Sequence, residues 1–265
     1  LEMIRKIEAR GALDISRRAK QGVGQIFQFA IACGLVSSDP TTHLRGALKP
    51  RPRVKHMSRL PLTELPQFLL KLQKYEEEGD RRSAITRDAV TFALLTWVRT
   101  KELRFAVRSE FEDLDGKAPV WRIPAERMKM GREHFVPLSK QAATIARRMI
   151  IASTGEFLFP GVAPQKPLSE TTMIYALYRL GYHSRQTVHG FRGLASTWAN
   201  EQLVEFGRPA MWIRRYHEDW VEMQLARSED NEVRGAYNAA EYLVPRRRMM
   251  QDWADFLADQ EKMGL

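Results

Sequence analysis

His189-Gly190-Phe191-Arg192-Gly193-Leu194-Ala195-Ser196-Thr197-Trp198-Ala199-Asn200-Glu201 reads as the opening of an amphipathic helix. His189 and Arg192 stand three positions apart, so both project from one face. Phe191, Leu194, Ala195 and Trp198 recur at helical spacing and can bury the other face. An imidazole that titrates near neutral pH beside a permanent cation, both at a helix start, forms a plausible grip for a phosphate. By itself the pair is more often a core or surface histidine next to a solvated arginine. The rest of the chain has to decide between the two.

With 265 residues the chain can build one large domain or two smaller ones with real cores. Its hydrophobic fraction of 44% and charged fraction of 28% are those of a globular protein. The net charge of +10 and the isoelectric point near 9.9 stand apart, and favour a polyanionic partner, nucleic acid before an acidic membrane surface. Cys33 is the single cysteine, which excludes an intrachain disulfide and a cysteine-rich zinc site and fits a reducing compartment. The longest apolar run, Ile26 to Val36, is broken by Gln28 and Gly34 and falls far short of the roughly 20 residues a membrane span requires. No signal peptide opens the sequence. These features together predict a soluble, cytoplasmic protein. A start at Leu1, without methionine and already inside a helical pattern, suggests a piece of a longer chain.

Outward from the central stretch, the chain divides by composition. Residues 1 to 48 read as two or three helices, with Ile4, Ile7 and Ala12 preceding the run Val23, Ile26, Phe27, Phe29, Ala30 and Leu35. Gly34 and Ser37-Ser38-Asp39-Pro40 stop that run. Lys49-Pro50-Arg51-Pro52-Arg53-Val54-Lys55 is a linker: its prolines cannot continue a helix and its cations repel one another. It suits a solvated tether or a segment crossing a DNA backbone. A domain boundary falls here, over residues 49–57.

Beyond it, Leu60 to Tyr75 predicts a helix with Thr63 as a cap, and Ala84 to Trp97 a buried one. Thr100 is a candidate cap for a short helix carrying Glu102, Leu103 and Val107. Asp115-Gly116 marks a turn, and Val120–Ile123 and His134–Leu138 are short strands. The loop between them bears Arg127, Lys129 and Arg132. Helical patterns resume from Lys140, through Leu168 to Leu180, Met211 to Ala226, Glu232 to Leu243 and Arg247 to Leu257. The fold class expected is therefore mainly α with a small antiparallel β-sheet.

Three basic groups thus stand on separate elements: Arg99 after a buried helix, Lys129 near a hairpin tip, and Arg192 beside His189. Tyr237 follows in Val233-Arg234-Gly235-Ala236-Tyr237-Asn238. A tyrosine hydroxyl attacking a phosphodiester needs charge stabilisation on the nonbridging oxygens, which suits two arginine forks. The departing 5′-oxygen needs a proton, which a lysine can supply. The nucleophile needs orientation, which a histidine can provide. The set calls for no metal and no cofactor.

At these residues the chain resembles the tyrosine recombinases, in particular the integrases of satellite phages and genomic islands. The resemblance spans nearly the whole chain. It is carried by Leu94-Leu95-Thr96-Trp97-Val98-Arg99-Thr100-Lys101-Glu102-Leu103, Trp121-Arg122-Ile123-Pro124-Ala125-Glu126-Arg127-Met128-Lys129, Val136-Pro137-Leu138-Ser139, the His-Gly-Phe-Arg stretch, and Tyr237 through Glu241-Tyr242-Leu243. Each motif is modest, but five in order are highly specific. The resemblance implies a recombinase catalytic-domain fold over residues 58–265, preceded by part of a helical core-binding domain over 1–48. An arm-type DNA-binding domain would lie upstream.

It further implies that Arg99 and Arg192 clamp the scissile phosphate, that Lys129 is the general acid, that His189 bonds the phosphate and assists proton transfer, and that Tyr237 forms a 3′-phosphotyrosyl link. Glu102 would orient Arg99, or form a surface ion pair. Tyr242 and Tyr216 are rivals to Tyr237. In one place the chain departs from the family: where a Gln-Leu-Ala-His pattern is usual, Gln224-Leu225-Ala226 is followed by Arg227. An arginine still donates to a phosphate oxygen but cannot shuttle a proton near neutral pH. The implied function is site-specific DNA recombination that integrates or excises a mobile element, on double-stranded DNA, as a tetramer, with accessory DNA-bending proteins, in the bacterial cytoplasm at the nucleoid. A type IB topoisomerase and a catalytically silent DNA-binding relative are the alternatives.

Overall fold

Helix α4 (Ala84–Thr96) lies at the centre of the larger part of the molecule, and its sequence explains why. Ala89, Val90, Phe92, Ala93, Leu94 and Leu95 are all buried, so the helix is apolar around most of its circumference and must be enclosed by other elements. Its start is set by Ser83, whose hydroxyl accepts from the Thr86 N–H at 3.2 Å. Its end is set by Trp97, which turns into the left-handed region at φ 63°. That conformation is rare for a bulky side chain and needs surroundings that hold it.

The computed structural model describes residues 1–44, 46–50, 58–78, 83–207, 210–227 and 241–264. The chain forms two units, residues 1–56 and 57–265. In the first, α1 (Glu2–Ala9) and α2 (Leu13–Ala32) pack together. The buried Glu8 carboxylate accepts from the Lys49 N–H at 2.9 Å, and Arg17 donates to the Lys49 carbonyl at 2.6 Å. A side chain at Gly24 would meet the Thr41 hydroxyl at 2.9 Å, so the glycine lets that segment approach the helix closely. Of the apolar run read in the sequence, Ile26, Phe29 and Leu35 are exposed.

In the second unit, α3 (Leu65–Gln73) lies along the C-terminal helix α10 (Leu243–Met263). Around α4 are gathered α5 (Thr100–Arg104), α6 (Lys140–Ala152), α7 (Glu170–Arg179) and α8 (Gly190–Glu201). Helix α9 (Glu218–Gln224) packs on α8 and α10. A three-stranded antiparallel sheet runs β1 (Phe111–Glu112), β2 (Val120–Ile123), β3 (His134–Pro137). Its register pairs Ile123 with His134, which places Lys129 in the connection between the two longer strands. Strands β4 (Leu203–Phe206) and β5 (Met211–Arg214) form a separate hairpin. Among the described residues no helix is long and apolar enough to cross a membrane.

The mainly α class with a small antiparallel sheet is what the structure has. Four local expectations are corrected. Thr63 caps nothing, because it sits inside a 3₁₀ turn (Leu62–Glu64) that precedes α3. Thr100 is the first residue of α5, and Arg99 takes the cap position with its N–H bonded to the Glu102 carboxylate at 2.7 Å. The span Met211 to Ala226 is not one helix: Met211, Trp212 and Ile213 form an exposed strand, in keeping with the strand preference of β-branched and aromatic residues. Finally, Glu241 and Tyr242 are not the end of a helix. Tyr242 is left-handed at φ 48° and precedes α10, which begins at Leu243 rather than at Arg247. The remainder of the predicted Glu232–Leu243 helix, and linker residues 51–57, lie outside the described residues.

An aromatic cluster ties the core elements together. Trp253 of α10 packs edge-on against Trp97 at 6.1 Å and tilted against Trp198 of α8 at 5.0 Å. Its indole N–H donates to the Leu94 carbonyl at 2.9 Å. Replacing Trp253 with alanine removes a fully buried ring and leaves that carbonyl without its donor. The Trp253→Ala protein is expected to lose about 3–5 kcal/mol of stability, seen as a lower urea midpoint with an unchanged slope.

Candidate active site

Arg99, Arg192, His189 and Arg227 come together at the ends of three helices. Arg192 projects from the first turn of α8 and is only 4% exposed. Its guanidinium donates from Nη1 to the Trp97 carbonyl and from Nη2 to the Leu225 carbonyl at 2.5 Å. Arg99, less deeply placed, donates to the Glu102 carboxylate at 2.6 Å and to the Ala226 carbonyl at 2.7 Å. The two arginines are thus hung on the C-terminal ends of α4 and α9, where unpaired carbonyls and the negative end of the helix dipole favour a cation.

The close approach has an electrostatic signature. Burial first, and then the charge of Arg99, lower the Arg192 pKa to about 10, which leaves it cationic at neutral pH. Partial desolvation of its ring at the rim and the charges of Arg192, Arg99 and Arg227 also lower the pKa of His189, so its imidazole is neutral at physiological pH. Among the described residues Arg192 has no carboxylate in an ion pair. Glu102 is the partner of Arg99, and Glu222 bonds Arg227 at 2.9 Å. Arg227 follows the last turn of α9 with its side chain 47% exposed.

Local sequence accounts for the placement of His189. The α8 start approaches the segment at residues 58–60 so closely that a Cβ at Gly190 would lie 2.5 Å from the Ser58 carbonyl oxygen. The Thr187 hydroxyl accepts from the Gly190 N–H at 2.9 Å, and the Gln186 side chain accepts from the Leu60 N–H at 2.8 Å. Only glycine fits between His189 and Phe191 at that distance. His189 is left exposed at the rim while Phe191 and Arg192 are buried.

Lys129 is exposed in the β2–β3 connection, and among the described residues no hydrogen bond or ion pair ties it to the cluster. Its loop is nonetheless anchored. Arg127 donates to the Glu110 carboxylate at 2.5 Å and to the Glu102 carbonyl at 3.1 Å, which fastens the loop to the helix that holds Arg99. Trp121 also donates to Glu110, at 2.9 Å. Tyr237 lies outside the described residues. Of its rivals, Tyr216 is buried against Trp198 with its hydroxyl donating to Asp252 at 2.8 Å, and burial raises its pKa, so it is a core residue. Tyr242 occupies the turn before α10.

The sequence profile of the phage integrase central domain matches residues 1–47, and that of the phage integrase family matches residues 59–208. The chain belongs to the phage integrase family. The integrase of Enterobacteria phage P4 is 39% identical over 274 residues, covering 97% of this chain and 58% of the relative. Prophage integrase IntZ of Escherichia coli is 38% identical over 256 residues, covering 96% of this chain and 58% of the relative. The chain therefore spans a little over half the length of these relatives. A lambda integrase tetramer bound to a Holliday junction has a similar fold, with a TM-score of 0.62 at 18% identity over 87% of this chain and 63% of that one.

Within this integrase fold the structure adds residues to which sequence reasoning had given no role. Gln224 and Arg246 are fully buried beside the arginines, and His134 is buried at the base of the Lys129 hairpin. A polar side chain inside an apolar pattern was the available signal, but Arg246 fell just outside the predicted helix. His134 bonds the Gln224 backbone, while its Nε2 has no partner among the described residues. Burial and the Arg246 charge hold its pKa near 3, against 6.5 ordinarily.

This shift has a defined sign. Between those two values the unfolded chain takes up a proton that the folded His134 refuses, so stability falls as pH drops below 6.5 and stops falling near 3. The cost of this group is expected to be on the order of 1 kcal/mol by pH 5.5. Urea unfolding at pH 7.5 and 5.5 should show His134→Gln losing less stability than the wild type over that interval.

Proposed function

We propose that the chain is a site-specific DNA recombinase that cuts and reseals strands through a covalent 3′-phosphotyrosine. The single observation that carries this reading is the cationic cluster. Arg192 is buried without a carboxylate in an ion pair among the described residues, beside Arg99, in a fold of the phage integrase family. Holding like charges together is unfavourable unless an anion completes the set, and a phosphodiester does so with the geometry that two guanidinium forks match.

In the first step the Tyr237 oxygen attacks the scissile phosphorus. A bond forms from that oxygen to phosphorus, the bond from phosphorus to the 5′-oxygen breaks, and the 5′-oxygen leaves as a hydroxyl. Arg99 and Arg192 balance the charge on the nonbridging oxygens, with the Glu102 carboxylate aiming Arg99. Lys129 supplies the proton for the 5′-oxygen after its loop closes on the DNA, and neutral His189 bonds the phosphate and can pass the tyrosine proton. Arg227 adds a third donor to the phosphate. Attack by a 5′-hydroxyl from a second strand reverses the bond changes and frees the tyrosine. The DNA is double-stranded, the working assembly a tetramer with two sites, assisted by DNA-bending proteins, and the outcome is integration or excision of a mobile element.

The test uses duplexes that carry the junction sequences of the mobile element, nicked beside the cleavage position so that the released fragment diffuses away. The intact protein is expected to yield an SDS-resistant adduct, and Tyr237→Phe none. Specific binding with no adduct from the intact protein would instead favour a DNA-binding relative without activity. Arg227→Ala should form adduct about tenfold more slowly, the loss of one charge-assisted bond worth about 1.4 kcal/mol.

A further inference from the structure

We propose that Arg246, acting through Gln224, is a positioning residue for the two arginines of the site. The inference rests on the recombinase reading and goes beyond it. Arg246 stands in the first turn of α10 with no exposed side-chain surface. Its Nε and Nη2 both donate to Gln224 Oε1, at 3.1 and 2.9 Å. Nη2 also donates to the Phe135 carbonyl at 2.5 Å, and Nη1 to the Glu241 carbonyl at 2.9 Å. Gln224, itself fully buried, turns its amide to the Thr96 carbonyl at 3.0 Å.

The neighbours of these contacts are the supports of the arginines. Thr96 is followed by Trp97, whose carbonyl holds Arg192. Gln224 is followed by Leu225 and Ala226, whose carbonyls hold Arg192 and Arg99. Arg246 and Gln224 therefore brace the ends of α4 and α9 against each other at the points where both guanidiniums hang. Through Phe135, next to His134, the same guanidinium also fixes the base of the Lys129 hairpin.

Stability alone does not account for such a residue. A buried cation is costly to desolvate, and the start of a helix is the end of the dipole that disfavours it. Among the described residues its one ion-pair partner is the Glu241 carboxylate at 3.7 Å, and an apolar side chain would fill the space at less cost. What Arg246 supplies instead is direction: several rigid donors that fix three separate elements from one point.

The test compares Arg246→Gln and Gln224→Glu with the wild type on nicked duplexes, with cleavage measured at saturating protein and DNA affinity measured separately. Gln224→Glu keeps an acceptor for Arg246 but replaces the donor to the Thr96 carbonyl with a carboxylate oxygen, so it cuts the brace even if Arg246→Gln fails to fold. Each substrate is made with an ordinary scissile phosphate and with a methylphosphonate, which carries no negative charge for the arginines to balance. DNA affinity should stay within about threefold, while cleavage of the phosphodiester falls about 10- to 100-fold, the scale of a small misplacement of a stabilising group. On the methylphosphonate the deficit should shrink to about threefold or less. Equal deficits on both substrates, or wild-type rates on both, would overturn the inference while leaving the recombinase reading intact. No adduct from the wild type would overturn both together.

Discussion

The C-terminal end of α4 is the constraint on which the rest of this structure depends. A helix buried on nearly every side still ends in carbonyls that its own backbone cannot satisfy. Here three carbonyls at this end, those of Leu94, Thr96 and the capping Trp97, are met by different parts of the chain. Trp253 of the C-terminal helix reaches the Leu94 carbonyl, Gln224 of α9 reaches Thr96, and Arg192 of α8 reaches Trp97. Three elements far apart in sequence are drawn to one point by a single unmet demand for donors. Arg192, the buried arginine of the candidate site, is one of the answers to that demand, which is why the fold and the candidate site cannot be separated.

A second balance runs through charge. Desolvation and mutual repulsion both work against burying Arg192 near Arg99, and the pKa of Arg192 falls accordingly. The offset comes from two helix ends whose carbonyls and dipoles point at the guanidiniums, together with the Glu102 carboxylate on Arg99. The two histidines beside the cluster are both held below their usual pKa, so they add no positive charge near neutral pH. The candidate site is thus cationic but stops short of the charge its residue count would suggest.

The hairpin that carries Lys129 shows the same economy. Glu110 receives Trp121 and Arg127 at once, and Arg127 extends to the carbonyl of Glu102. The strands and the Arg99 helix are locked to each other, while Lys129 itself is left exposed in the connection. A rigid base with an exposed tip suits a group that must meet its target only when the target arrives.

Periodicity and turn chemistry made much of this legible in the sequence. The apolar run of α4, the alternation of Val120 to Ile123 and His134 to Leu138, and the spacing of His189 and Arg192 depend on local pattern, and local pattern is what sequence records. Ordered motifs likewise pointed to the family before any coordinates. Other features had no local signal. The left-handed turn at Trp97 runs against the preference of its side chain and holds only because Arg192 and the surrounding aromatic rings fix it. Met211 to Ile213 lacked the burial that would have made their apolar character helical. Gln224, Arg246 and His134 look like ordinary polar residues until the fold encloses them. By itself the sequence determined most of the helices, the strands of the Lys129 hairpin and which side chains could do phosphate chemistry. Only the tertiary structure decided which carbonyls those side chains would hold, because an unpaired group acquires its partner when burial takes away water.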